Sequence, residues 1–311
     1  MLYKWRLQRT RARFDRLTAG IRETPPIKLK DAPWTIVSMV SKPSDSDLQM
    51  YLLSMKSFYT RLGAGKITAI VDRDMSANVR STLEHHLQGI RFFNIEDIEM
   101  GPCQRGGTWE RLLYLLDGSE NEYVIQIDWD TLAFGADVAE VRHCAENNIP
   151  FTLGNRGMPI APMPEIAPKS RAEKSNYIGI VAERLFDQYP GAENLKYVQG
   201  SSGFTGFAKG GYTRTQMEEF DRNMRGMLGD RWLEWGSEQT ASNFAIANSP
   251  NAIVLPYPKY GNFGPECFET GLQNYAFLHF IGTYRFLNST FLTLGQKVIK
   301  GLFEEGAKAA I

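Results

Sequence analysis

Between residues 34 and 153 short apolar runs alternate with amphipathic segments, and this alternation constrains the fold more than any other feature. Trp34–Val40 reads as a buried strand. Residues 44–61 read as a helix, because Leu48, Tyr51, Leu52, Met55 and Phe58 recur at helical spacing. The succession continues with a strand over 66–71, a helix over 76–87 and a strand over 90–95. A helix over 108–116, a fourth strand over 123–127, a helix over 136–146 and a short strand over 151–153 follow. Strands that each hand over to a helix predict an α/β fold: a mostly parallel sheet flanked by helices, with its ligand site at the carboxyl ends of the strands.

The fourth strand carries the chemistry. Tyr123-Val-Ile-Gln-Ile127 runs into Asp128-Trp-Asp130, two acids two positions apart, which on an extended chain point to one side and can reach the same cation. Hard oxygen ligands suit Mg²⁺ or Mn²⁺, and an ion held by two or three protein groups keeps positions open for phosphate oxygens. The spacing alone is weak, since Asp45-Ser-Asp47 and Asp72-Arg-Asp74 share it. Asp45 and Asp47 follow Pro43 and Ser44, where acids open a helix by capping its free amides. Asp72 ends the apolar run Ile67–Val71 and has two readings: a hydrogen bond to the base or ribose of a nucleotide, or a turn.

Beyond residue 153 the pattern loosens. Residues 154–176 hold Pro159, Pro162, Pro164 and Pro168, which predicts either an active-site loop or a plain surface connection. A helix over 178–188, a Gly-rich strand Gly200-Ser-Ser-Gly-Phe-Thr-Gly-Phe207, helices over 214–227 and 237–247, a strand over 252–255 and a helical tail after Phe286 complete the reading. The chain divides into a basic amphipathic amino-terminal arm (1–30), a catalytic domain (31–285) and a helical carboxy-terminal tail (286–311). The arm carries Lys4, Arg6, Arg9, Arg11, Arg13, Arg16, Arg22, Lys28 and Lys30 against Asp15 and Glu23, with Trp5, Leu7, Phe14 and Leu17 interleaved. Such an arm either lies on an anionic membrane as a peripheral contact or folds back on its own domain.

Lys plus Arg and Asp plus Glu both number 35, which argues against a nucleic-acid partner bound through bulk positive field. Cys103, Cys144 and Cys267 are widely spaced and odd in number, as reduced thiols are. The amino terminus has no uninterrupted apolar core with a cleavage site, and the apolar stretch 275–294 is broken by His279, Arg285 and Asn288. A cytoplasmic location is the expectation, on the inner face of a membrane if the arm docks there.

The α/β half, the acid pair, the Gly-rich strand and a late His279-Phe-Ile-Gly282-Thr-Tyr-Arg285 stand in an order that resembles the A-type (GT-A fold) glycosyltransferases. The likeness is to the retaining galactosyltransferase and glycogenin-like families. It spans about residues 34 to 285 as an order of motifs. It implies a Rossmann-like sheet, a UDP-sugar donor, a saccharide or glycolipid acceptor, Mn²⁺ (or Mg²⁺) as cofactor, and Asp128, Asp130 and His279 as metal ligands. Asp128 would also touch the donor ribose. Gly282 would let the backbone approach the diphosphate, and Arg285 would grip phosphate oxygens. The families carry Lys followed by Pro-Trp where this chain has Arg285-Phe286-Leu287. Ser201, Ser202 and Gly203 resemble the strand on which those families lay the sugar, with Ser in place of Asn. Glu238 and Gln239 resemble the acidic-Gln segment that steadies the sugar or acts near the anomeric carbon; Glu238 also has a structural reading as a helix-start acid. Arg105, before Gly106-Gly107, and Arg111 are the further candidates to touch the donor.

Hexose transfer, retaining by resemblance, is therefore the expected reaction. Its rivals are a nucleotidyltransferase that forms nucleotide sugars and a catalytically silent nucleotide- or sugar-binding protein. The first usually places a Gly-rich, basic loop after its first strand, where this chain has Ser41-Lys-Pro-Ser44.

Overall fold

The computed structural model describes residues 2–154, 157–282, 284–286 and 288–309. Thr283 and Leu287 of the late motif lie outside the described residues, as do Asn155 and Arg156 of the Pro-rich segment. In chain order the main elements are α1 (Leu2–Thr18), β1 (Trp34–Val40), α2 (Asp45–Leu62), β2 (Lys66–Val71), α3 (Ala77–His86), β3 (Arg91–Asn94) and α4 (Trp109–Ser119). Then come β4 (Tyr123–Ile127), β5 (Thr131–Ala133), α5 (Ala139–Glu146), β6 (Phe151–Leu153), α6 (Met163–Ala172), α7 (Ile178–Glu183) and β7 (Ser201–Phe207). The chain continues through α8 (Arg214–Leu228), α9 (Ser237–Ala247), β8 (Ile253–Val254), β9 (Tyr260–Asn262), β10 (Phe277–His279) and α10 (Thr290–Ala309). They fall into two compact units, one of Met1–Asn94, Ile127–Arg142 and Pro256–Ile311, the other of Ile95–Gln126 and His143–Leu255.

In the first unit β1, β2 and β3 run parallel, with Ile36 opposite Ile67 and Ile70 opposite Phe93. Parallel strands need crossover helices, and α2 and α3 supply them. The Asp45-x-Asp47 pair opens α2 through a capping box: Ser44 accepts from the Asp47 amide, and the Asp47 carboxylate accepts from the Ser44 amide at 3.0 Å. That helix is buried on nearly every side, with Leu48, Leu52, Met55 and Phe58 closed off from solvent. Each such side chain contributes roughly 1.5–3 kcal/mol of burial. Lys56 is buried too, and its ammonium donates to the Thr24 hydroxyl at 2.6 Å and the Pro25 carbonyl at 2.8 Å, with His86 Nδ1 at 3.2 Å. Residues read from the sequence as arm and tail meet here as well: Phe14 of α1 stacks on Phe291 of α10 at 4.7 Å and meets Phe286 edge-on at 5.5 Å.

A second, three-stranded sheet of this unit is not legible in the sequence pattern. Its order is β9-β10-β5, with β10 antiparallel to β5 and parallel to β9, and its strands are too short to show periodicity.

In the second unit β8 lies parallel to β6, and β7 pairs with β6 antiparallel in the register Gly206 to Phe151. The Gly-rich composition of β7 follows partly from packing. A Cβ on Gly206 would stand 2.2 Å from Tyr123 Oη, and one on Gly200 2.4 Å from Thr152 Oγ1. The loop expected over 154–176 is corrected by the structure. Residues 163–172 form α6, with Pro164 in its first turn, where no amide is required, and Pro168 inside it. Ile166, Ala167 and Ser170 are buried, so tertiary packing overrides the poor helix propensity of this segment.

Candidate metal centre

Asp128 and Asp130 sit in the turn between β4 and β5, at the carboxyl end of β4. That turn is held from α2. Ser54 Oγ donates to the Asp128 carbonyl at 3.0 Å and lies 2.7 Å from Thr131 Oγ1, whose hydroxyl donates to the same carbonyl at 2.9 Å. The antiparallel pairing then sets the third group. His279 lies directly across from Thr131, and the amide of Phe280 donates to the Asp130 carbonyl at 2.8 Å. Register thus brings together an imidazole and two carboxylates that are distant in sequence.

One ligand atom from each of Asp128, Asp130 and His279 lies within 4.8 Å of the other two. His279 Nε2 is 3.3 Å from Asp130 Oδ1 and 3.8 Å from Asp128 Oδ2. Asp130 and His279 are buried, whereas Asp128 is partly open to solvent. Among the described residues no other trio of His, Cys, Asp or Glu side chains is so placed.

On the far side of the ring, His279 Nδ1 is 3.0 Å from Asn262 Oδ1, and Asn262 is the register partner of His279 across β9 and β10. An amide oxygen there suits a proton on Nδ1 and leaves Nε2 facing the carboxylates, where it would offer its lone pair to a metal that displaces the Nε2 proton. Two carboxylates and an imidazole in this arrangement fit a divalent cation, with the nitrogen tilting the choice toward Mn²⁺.

The electrostatics are those of a tight cluster. Burial raises the pKa of Asp130, but His279 and the guanidinium of Arg285 outweigh it and hold the carboxyl at about 2. Burial likewise lowers the pKa of His279, and the carboxylates of Asp130 and Asp128 overcome it and hold the imidazole above its ordinary value. Arg285 bonds Asp130 Oδ2 through Nη2, donates through Nε to the Phe280 carbonyl at 3.2 Å, and lies over the Trp129 ring at 4.8 Å. Gly282 has open space where a side chain would begin.

Asp72 follows the last residue of β2 and is buried. Its carboxylate accepts the Lys42 amide at 2.7 Å, and its carbonyl accepts the Met75 amide at 3.0 Å. Lys42 takes a left-handed φ of 38°, so this bond holds the segment after β1.

In the second unit a buried polar cluster forms around Glu238. The carboxylate pairs with Arg111 Nη2 at 3.2 Å and accepts from Thr108 Oγ1 at 3.0 Å and Ser202 Oγ at 3.1 Å. Ser237 beside it accepts from Trp109 Nε1 at 3.0 Å and from Gln104 at 2.9 Å, which anchors the start of α9. Ser201 Oγ accepts the Gly203 amide at 3.3 Å, and Gln239 is half-buried. Arg105 donates to the carbonyls of Ile95 and Ile98 at 3.3 and 3.0 Å, so a role on a donor would require it to leave them.

Sequence reasoning missed Asn262, Ser54 and Trp129. No local signal marks the first two, because each acts through a strand pairing or a helix contact that no spacing encodes. Trp129 was legible only as the residue between the acids.

No protein-family model matches the sequence, and no curated protein is similar to it. Solved structures are. The apo bifunctional glycosyltransferase WbbM matches with a TM-score of 0.52 at 16% identity, over 89% of this chain and 52% of that one. Galactosyltransferase LgtC in complex with donor and acceptor sugar analogs gives 0.49 at 11% identity, over 87% and 95% of the two chains. Mouse xyloside xylosyltransferase 1 gives 0.48 at 11%, over 83% and 99%. The mixed α/β architecture with its mostly parallel strands and the likeness to WbbM give this chain a GT-A-type glycosyltransferase fold.

Proposed function

We propose that this chain is a metal-dependent glycosyltransferase that moves a hexose from a UDP-sugar to a saccharide or lipid-linked acceptor, with retention of configuration. The single observation that carries the reading is the convergence of Asp128, Asp130 and His279 within 4.8 Å, with His279 oriented by Asn262. These three would hold Mn²⁺ or Mg²⁺, which when bound neutralises the charge that builds on a departing diphosphate.

The remaining roles fall to the chain's own groups. Arg285 would bind phosphate oxygens, and the open backbone at Gly282 would admit them. Asp128, the more exposed acid, would reach the ribose as well. Asp72 would hydrogen-bond the base or ribose of the nucleotide once its carboxylate is released from the Lys42 amide. Within the second unit Glu238 and Gln239 are assigned to steady the sugar. Arg111 and Ser202 bond the Glu238 carboxylate and orient it, and Ser201 and Gly203 provide the small-residue strand. Arg105 contributes if its fork is released from the loop carbonyls.

Peripheral membrane contact is assigned to the outer face of α1. Arg9, Arg13 and Arg16 are exposed there, beside Leu17 at 37% exposure. Among the described residues no helix is long and apolar enough to cross a membrane. Cys103, Cys144 and Cys267 are buried and none is in a disulfide, as reduced thiols in a cytoplasmic setting would be.

Thermal shift with UDP, with and without Mn²⁺, tests the donor half, and UDP release from UDP-hexoses tests turnover. Asp130→Ala and His279→Ala should each abolish metal-dependent UDP release while the protein stays folded. Full activity in either variant rejects the site. Pyrophosphate as the product would instead assign a nucleotidyltransferase. The Arg285–Asp130 ion pair favours one second reading, a silent nucleotide-binding protein in which the acid is structural. Nucleotide binding without metal-stimulated turnover over a panel of acceptors would select it.

A further inference from the structure

Asp130 carries two demands that conflict. A metal would draw on its negative charge through one oxygen or both, yet that charge is already shared: Oδ2 is bonded to Arg285 Nη2, and Oδ1 faces His279 Nε2 at 3.3 Å. Asp130 is buried, so its negative charge needs a positive partner at all times. Arg285 supplies one. It is also not locked in place: its other anchors are one carbonyl bond, Nε to Phe280 at 3.2 Å, and the face of the half-buried Trp129 at 4.8 Å. A ring face tolerates sliding and rotation of a guanidinium far better than a second bidentate carboxylate would. Three residues before Arg285, a Cβ added at Gly282 would meet no neighbouring atom within 4 Å.

We propose that Arg285 is an exchangeable counter-ion: it neutralises Asp130 until a divalent cation takes that carboxylate, and then pivots on Trp129 to meet the diphosphate. This inference rests on the metal-centre reading above and adds a regulation to it. The guanidinium and the metal are both cations drawn to one carboxylate and repel each other there, whereas the guanidinium and the diphosphate attract each other. The same side chain therefore opposes metal binding on its own and favours nucleotide binding once the metal is present. By linkage a nucleoside diphosphate, which draws Arg285 away from Asp130, tightens the metal, and metal tightens the nucleotide. Ordered loading follows, with little metal held until a diphosphate arrives. A residue that only grips phosphate has no such effect on metal alone.

The test is calorimetric titration of the full chain with Mn²⁺ alone, with UDP alone and with UDP in saturating Mn²⁺, at one fixed pH, for wild type, Arg285→Gln and Arg285→Lys. Opposite signs are expected in Arg285→Gln: Mn²⁺ alone binds roughly tenfold tighter, a coupling of ordinary size, and UDP with Mn²⁺ binds roughly tenfold weaker. Arg285→Lys, which keeps the charge but loses the flat stacking surface, should restore most of the competition with Mn²⁺. Tryptophan emission gives a second readout. Mn²⁺ with UDP should shift it in wild type and not in Trp129→Phe, as the guanidinium leaves that ring. Unchanged or weaker Mn²⁺ affinity in Arg285→Gln overturns the proposal. A wild type that binds UDP but takes up Mn²⁺ neither alone nor with UDP, joined by an equally silent Arg285→Gln, overturns the metal-centre reading itself. Mn²⁺ uptake appearing only in Arg285→Gln supports the competition.

Discussion

Asn262 offers the sharpest check on the proposed metal centre, because it lies outside the trio and its amide oxygen meets the far side of the His279 ring. Its Oδ1 lies 3.0 Å from His279 Nδ1 and sits on β9 in direct register with the histidine. Replacing it by Leu keeps the volume and removes the acceptor. His279 Nδ1 then loses this acceptor, a cost of about 1–3 kcal/mol, and the ring loses one of the contacts that set its orientation and tautomer. Outer partners of metal-bound histidines are typically worth about 10–100-fold in metal affinity, which is about 1.4–2.8 kcal/mol. Asn262→Leu should weaken Mn²⁺ by that range, measured by calorimetry in the presence of UDP, and lower Tm by a few degrees. Asn262→Asp should do the reverse for the metal, since a carboxylate on Nδ1 makes Nε2 a stronger donor. Unaltered Mn²⁺ affinity in the Leu variant would refute the claim that this contact sets the ring for coordination.

Two further outcomes concern stability. Burial and then the Lys56 ammonium hold His86 near a pKa of about 4, so the unfolded chain takes up a proton below about pH 6.5 that the folded chain refuses until about pH 4. Stability from this group is therefore full above pH 6.5 and falls across that window by roughly 2–3 kcal/mol; urea midpoints of wild type and His86→Gln between pH 7 and 4.5 should converge as pH drops, and parallel curves would reject the assignment. Arg111→Leu leaves the Glu238 carboxylate buried without its cation, since both side chains are about 5% exposed or less. It should destabilise the fold by about 3–5 kcal/mol in chemical denaturation, and a Leu variant as stable as wild type would mean that the remaining hydroxyl donors suffice.

Local patterning determined much of this protein. The strand–helix alternation from Trp34 to Leu153, the capping role of Asp45 and Asp47, and the acid pair after an apolar strand are short-range properties, readable from side-chain period and cap chemistry. Composition misled where burial overrode propensity, as in α6, whose prolines suggested a loop. Tertiary structure alone decided which atoms meet. Ser54 reaches Asp128 across 74 positions, Asn262 reaches His279 through the pairing of β9 with β10, and Arg285 reaches Asp130 across 155. Strand register has a period of two residues and no local mark of its own partner. The sequence could therefore name two acids, a histidine and an arginine, and only the folded chain could say that the arginine stands on the acid that a metal would need.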